Sequence, residues 1–189
     1  MGEMRELLLN LAEQAMCARG YGGFSYADIA RDAGIRKASI HHHFPSKQDM
    51  GLAVLDRYGE RLVQRLKLIG QSSRSGGQAL AAIIDLYRER AGSGGMLCLC
   101  AAMSGDVHAI DDRIRSALQR INDLVIASLE EILVTGRGDR SISVGGDPKA
   151  EATSILAMLQ GAQLMARVTM NPATFDAATE VLAARIYRG

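Results

Sequence analysis

"SYADIARDAGIRKASIHHHFPSK", residues 25–47, reads as two short helices joined by one tight turn. Ser25 stands three residues before Asp28, the spacing at which a serine and an acidic side chain satisfy each other's backbone amides at a helix start. The helix so opened, "DIARDAG", closes at Gly34, because glycine enters the left-handed conformation without a Cβ penalty. A second helix follows over residues 37–43 and stops before Pro45. Ile29, Ala30, Ala33, Ile35 and Ile40 are the apolar positions and turn inward. Ala30 is small where the helices cross, and Ile40 anchors the second helix from beneath. Helix, glycine turn, helix is the arrangement that sets a reading helix against the major groove of DNA.

The outer face of the second helix carries the matching chemistry. Arg36, Lys37 and Lys47 supply positive charge, and no acid falls between residues 36 and 47. Phosphates take cations, hydroxyls and backbone amides, while base edges take side chains that donate or accept at close range. The residues expected to touch DNA are Ser25, Tyr26, Arg36, Lys37, Ala38, Ser39, His41, His42 and Lys47. Three consecutive histidines also suggest a metal, but helical neighbours point about 100° apart and cannot converge on one ion. A helical zinc pair needs i, i+4 spacing, and no His or Cys stands there. The expectation is that His43 packs beside Phe44 while His41 and His42 face outward, with no metal and no cofactor.

Composition narrows the rest. The chain has 189 residues, 48% of them hydrophobic, and only three prolines, enough for a buried core in one domain or two small ones. Net charge is +1, so any basic surface is local. Cys17, Cys98 and Cys100 make no disulfide framework and suit a reducing cytosol. The N-terminus mixes acids with its leucines, unlike a signal peptide, and no apolar run approaches the roughly 20 residues that span a bilayer. The expected location is cytoplasmic.

The apolar period is helical nearly throughout. Residues 3–20 place Leu7, Leu8, Leu11, Ala15 and Met16 on one face; further helices are expected over about 47–70, 77–91, 96–105 and 110–135. Gly-rich breaks fall at 72–77 and 91–95, and the longest loop at 135–148. Asp147-Pro148 and Asn171-Pro172 each put a capping residue before a proline, the mark of a helix start. The fold expected is all-α, about nine helices, with a three-helix DNA-binding domain at residues 1–47, a connecting helix at 48–70 and a helical domain at 71–189.

Residues 20–55 resemble the N-terminal signature of the TetR family of bacterial transcriptional regulators. An aromatic entry at Phe24, the "DIA" helix, the Ala33-Gly34 turn, and Lys37, Ile40, His43, Phe44 and Lys47 fall on that pattern. Two positions depart from it: His41 stands where the family usually has a tyrosine, and Arg36 where a small hydroxyl residue often stands. The resemblance implies a homodimeric repressor of double-stranded operator DNA, released by a small-molecule effector bound in the C-terminal domain. It places the effector pocket among residues 77–170, with Met96, Cys98, Cys100, Met103, His108, Met158 and Gln163 as its expected lining. It also assigns the Ala- and Gly-rich helices over 151–170 and 175–187 to a four-helix dimer interface.

Three rival readings are set against this one. Cys98 and Cys100, two residues apart on an expected helix, face different sides; one of them could be a sensor thiol in an electrophile-responsive repressor. An enzyme built on those thiols with His108 and Asp106 or Asp111 has no nucleophile elbow, phosphate loop or zinc spacing to support it, and none is expected. A helical adaptor that binds only protein would show no affinity for DNA at low salt.

Overall fold

The computed structural model describes residues 2–92, 96–106, 108–143 and 145–187. The Gly-rich break expected at 91–95 lies partly outside these residues. Among them run nine helices: α1 Gly2–Arg19, α2 Tyr26–Ala33, α3 Lys37–His43, α4 Lys47–Ser72, α5 Gly76–Ala91, α6 Leu99–Ser104, α7 Asp112–Gly138, α8 Pro148–Thr169 and α9 Ala173–Ala183. The only β pairing among the described residues is an isolated antiparallel bridge between Ile142 and Ile186. The chain is all-α, as its periodicity requires.

Packing divides the chain into two compact units. The first unit joins residues 1–61 to 99–121, and the second joins 62–98 to 122–189. The helices α4 and α7 each contribute one end to either unit.

In the first unit, Leu8, Leu9, Met16, Ile29, Ile40, Met50, Leu55, Leu99 and Met103 are fully buried. The stripe of α1 is rotated from the one expected. Leu7 is exposed and Leu11 half-buried, whereas Leu9, Ala12 and Cys17 are buried. The reason is that α1 packs against both α2 and α6, so its apolar face is set by two neighbours lying at different angles.

In the second unit, α5, α8 and α9 pack mutually around Leu80, Ile83, Leu159, Ala162, Phe175 and Leu182. Asp147 caps α8 through the Ala150 amide at 2.9 Å, with Pro148 at the first helical position. The start of α9 differs from expectation by one residue. Pro172 itself occupies the cap position, and Asn171 Oδ1 accepts from the Ala173 amide at 3.0 Å. The helix ends at Ala183, since the chain beyond turns to pair Tyr187 N with Ser141 O at 2.9 Å.

Candidate DNA-binding interface

The helix-turn-helix forms as its caps dictate. Ser25 Oγ accepts from the Asp28 amide at 3.3 Å, and Asp28 Oδ2 accepts from the Ser25 amide at 3.0 Å. The Ser25 hydroxyl, followed by the Ser25 amide, holds the Asp28 carboxyl below the usual carboxylate range. At the other end Gly34 has φ 68°, and the Ile35 amide reaches back to Ala30 O at 3.0 Å. A residue with a Cβ would be strained at that angle.

α3 is anchored beneath by Ile40 and behind by Phe44, both buried, and Phe44 N donates to Ile40 O at 2.8 Å. This leaves Arg36, Lys37, Ala38, Ser39, His41 and His42 exposed on one continuous surface. Among the described residues neither Arg36 nor Lys37 has a carboxylate partner, so both charges are available to an external anion. His43 is half-buried, as expected. His41 Nδ1 lies 3.2 Å from Pro45 O, and its ring meets the Tyr26 ring edge-on at 4.9 Å. Among the described residues no three His, Cys, Asp or Glu side chains are grouped to hold a metal ion.

Two residues expected on the DNA surface have inward tasks. Tyr26 is buried, and its hydroxyl sits 2.9 Å from Phe44 O and 2.5 Å from Ser46 O. Burial pushes the phenol well above its ordinary range. The ring therefore pins the end of α3 to the start of α2 and does not reach outward. Lys47 Nζ donates to Phe24 O at 2.7 Å and lies over the rings of Phe24 (4.4 Å) and Tyr21 (4.7 Å). Burial lowers this ammonium's pKa, with Asp106 acting in the opposite sense. The structure thus gives Lys47 a carbonyl and two π faces where a phosphate was expected.

Removing the Tyr26 hydroxyl tests the pin. Tyr26→Phe takes a donor from the buried Phe44 carbonyl, while Ser46 O keeps the Met50 amide, and its expected cost is about 1–3 kcal/mol. Equilibrium urea unfolding checks this; an unchanged midpoint would show that the contact contributes nothing.

Sequence reasoning missed a set of polar contacts that ties α1, α4 and α7 together in the first unit. Arg57 of α4 donates to Glu6 (2.9 Å) and Glu13 (3.0 Å) of α1, and Arg61 reaches Glu13 at 2.6 Å. Arg113 of α7 pairs with Asp49 at 3.1 Å, and Asp106 accepts from the Gly22 amide at 2.9 Å. The spacing of Arg57 and Arg61 by four, and of Glu6 and Glu13 by seven, was the available signal: each pair shares one helix face.

The seven residues expected to line an effector pocket divide between the units. Cys100 and Met103 are buried in the first unit and His108 is exposed there. Met96 and Met158 are half-buried and Cys98 and Gln163 buried in the second. Cys98 also precedes α6 by one residue, so the two thiols are not on one helix. Gln163 is bonded inside the protein at both ends of its amide: Nε2 donates to Tyr87 O at 2.9 Å, and Oε1 accepts from Cys98 N at 3.0 Å. A cavity of about 510 Å³ in the second unit is lined by none of the seven.

Residues 8–54 match the family described as bacterial regulatory proteins, tetR family, and residues 77–182 match the tetracyclin repressor-like C-terminal domain. The chain belongs to the TetR family. The HTH-type transcriptional repressor NemR of Escherichia coli strain K12 is 30% identical over 175 residues, covering 88% of this chain and 85% of that protein. The repressor DhaR of Mycobacterium sp. strain GP1 is 26% identical over 178 residues, covering 92% and 87%. A TetR-family regulator from Agrobacterium tumefaciens superposes with TM-score 0.94 at 26% identity, covering 99% of each chain. The reduced form of E. coli NemR superposes with TM-score 0.86 at 27% identity, covering 99% and 98%. As a TetR-family protein this chain is a DNA-binding transcriptional regulator and not an enzyme. No helix among the described residues is long and apolar enough to cross a membrane.

Proposed function

We propose that the chain is a homodimeric repressor that reads a near-palindromic operator and is released by a small molecule bound in its second unit. The observation that carries this reading is the exposed, unpaired basic face of α3 on a helix pair pinned from behind by Tyr26, Lys47 and Ile40. Two copies of α3 then enter successive major grooves. Arg36, His41 and Ser25 take phosphate, while Lys37, Ser39 and His42 meet base edges, with Ala38 packed close to them. Release requires an effector that binds the conformation unable to hold DNA more tightly than the competent one; equal affinity for both shifts nothing.

The test is selection of bound duplexes from random DNA, followed by titration across salt. Arg36→Ala is expected to weaken binding to all sequences and to flatten the salt slope by about one. Lys37→Ala and His42→Ala are expected to change base preference, at about 1–3 kcal/mol per lost contact. A chain without salt-dependent duplex affinity at low ionic strength would be an adaptor, not a repressor.

A thiol-based repressor is the second reading, favoured by two cysteines flanking the start of α6 and by the solution of a relative in a reduced form. Cys17, Cys98 and Cys100 are all buried. Native protein is therefore expected to react with an aromatic disulfide reagent far more slowly than unfolded protein. If Cys98→Ser, Cys100→Ser protein still leaves DNA on electrophile treatment, this second reading is lost.

A further inference from the structure

The cavity in the second unit lies among the C-terminal half of α4, the start of α5 and the C-terminal half of α7. Its volume, about 510 Å³, falls within the range of small-molecule pockets. Leu66, Ile132 and Ala79 are buried in its wall. Val63 and Leu124 stand at its rim with 38% and 45% of their surfaces open, and aliphatic surface beside a concavity is stabilised by whatever covers it.

The three serines of the lining are already bonded within the protein. Ser73 donates to Ile69 O at 2.7 Å, Ser128 donates to Leu124 O at 3.0 Å, and Ser75 accepts from the Gln78 amide at 3.2 Å. The first amides of α5 are taken as well, Gly76 N by Asp139 Oδ2 at 2.8 Å and Gly77 N by Ser141 Oγ at 2.7 Å. No helix N-terminus is left to hold a head group. Among the described residues the ammonium of Lys67 and the guanidinium of Arg74 line the cavity without a hydrogen-bond or ion-pair partner. They outnumber its single carboxylate, Glu131.

The glycine between them is the second observation. Lys67, Gly70 and Gln71 recur at i, i+3 and i+4 of α4, so they share one face, and Arg74 joins the lining from the bend that follows the helix. Gly70 lies inside α4, where glycine weakens the helix, yet a Cβ there would meet nothing within 4 Å. No φ and no close neighbour requires it; its missing side chain leaves the cavity open between the two cations.

We infer that this cavity is the effector site and that it takes a small amphipathic organic monoanion. The apolar body lies on Leu66, Ile132, Val63 and Leu124, and the anionic head lies between Lys67 and Arg74. The assignment rests on the proposal that the second unit binds the effector.

Octanoate and 2-naphthoate, with octylamine and octan-1-ol as counterparts, test it by calorimetric titration and thermal melting of the full chain. At least one carboxylate is expected to bind and raise the melting temperature, with octylamine at least tenfold weaker. Lys67→Gln, Arg74→Gln is expected to weaken the carboxylate at least tenfold, while Glu131→Gln leaves it equal or tighter. Gly70→Leu is expected to abolish binding without lowering the melting temperature of the free protein. Binding by neither carboxylate, preference for the amine with loss on Glu131→Gln, or undiminished binding in Gly70→Leu would each overturn the assignment. Duplex titration separates the two proposals. A wild type that holds DNA but ignores both carboxylates refutes only this site, and one that binds carboxylate but not DNA refutes the repressor.

Discussion

Gly76→Ala is expected to destabilise the second unit by about 3 kcal/mol, the upper part of the range for overpacking a close contact. A Cβ at Gly76 would lie 2.3 Å from Gly136 N, 2.4 Å from Gly136 Cα and 2.7 Å from Ile132 O. All three atoms are backbone of α7, so no side chain can swing aside. Nor can the start of α5 back away freely, because Asp139 and Ser141 hold its first two amides. Gly136 is constrained in turn, since a Cβ there would meet Ile142 Cδ1 at 2.4 Å. Two helices thus approach backbone to backbone through facing glycines. For a chain of this size the expected fall in melting temperature is about 6–12 °C. Gly138→Ala, in the same helix with nothing within 4 Å, is the control and is expected to leave the melting temperature unchanged or slightly raised. Circular dichroism melts decide it: Gly76→Ala melting with the wild type would show that the two backbones can separate at no cost.

That contact also marks where sequence reading stops. The break expected over 72–77 is shorter in the structure, with α5 opening already at Gly76, and nothing local says that Gly76 faces Gly136 sixty residues later. Legibility was high wherever a rule is local. The capping box at Ser25, the left-handed Gly34, the stop before Pro45 and the Asp147-Pro148 start all act within four residues, and all formed as expected. The exposed face of α3 was equally legible, because burying Ile40 fixes by period which neighbours point away.

What failed to be legible depends on distant carbonyls and on ambiguous side chains. Tyr26 and Lys47 looked available because a hydroxyl and an ammonium are what phosphate takes. Their actual partners, Phe44 O, Ser46 O and Phe24 O, are backbone atoms 18 to 23 residues away that no side-chain pattern encodes. Methionine and cysteine fill cores and pockets alike, so the soft segment around residues 96–103 could not say which it served. The cavity among α4, α5 and α7 is bordered by Gly70, which has no side chain for a pattern to read.

Val168→Asp is expected to turn the proposed dimer into a monomer and to weaken operator binding by at least about a hundredfold. On α8, Gly161, Leu164, Met165 and Val168 recur at i, i+3, i+4 and i+7, one stripe along the helix. Val168 is 85% exposed and Met165 56%, and on α9 Val181 is 64% exposed. An apolar stripe this open along one helix face is stabilised by something that covers it. A second copy can do so, because the same patch on both protomers is self-complementary about a twofold axis. A carboxylate on that axis meets its own copy across an apolar interface, which disfavours association through desolvation and like charge. DNA affinity falls with it because a lone reading helix keeps the contacts of one half-site only, and specific sites exceed non-specific ones by about 10³–10⁷. Sedimentation equilibrium and gel shift on the selected operator measure the two effects together. A variant that stays dimeric would move the interface elsewhere, and a monomer that binds the full site as tightly as the wild type would refute the paired reading of successive grooves.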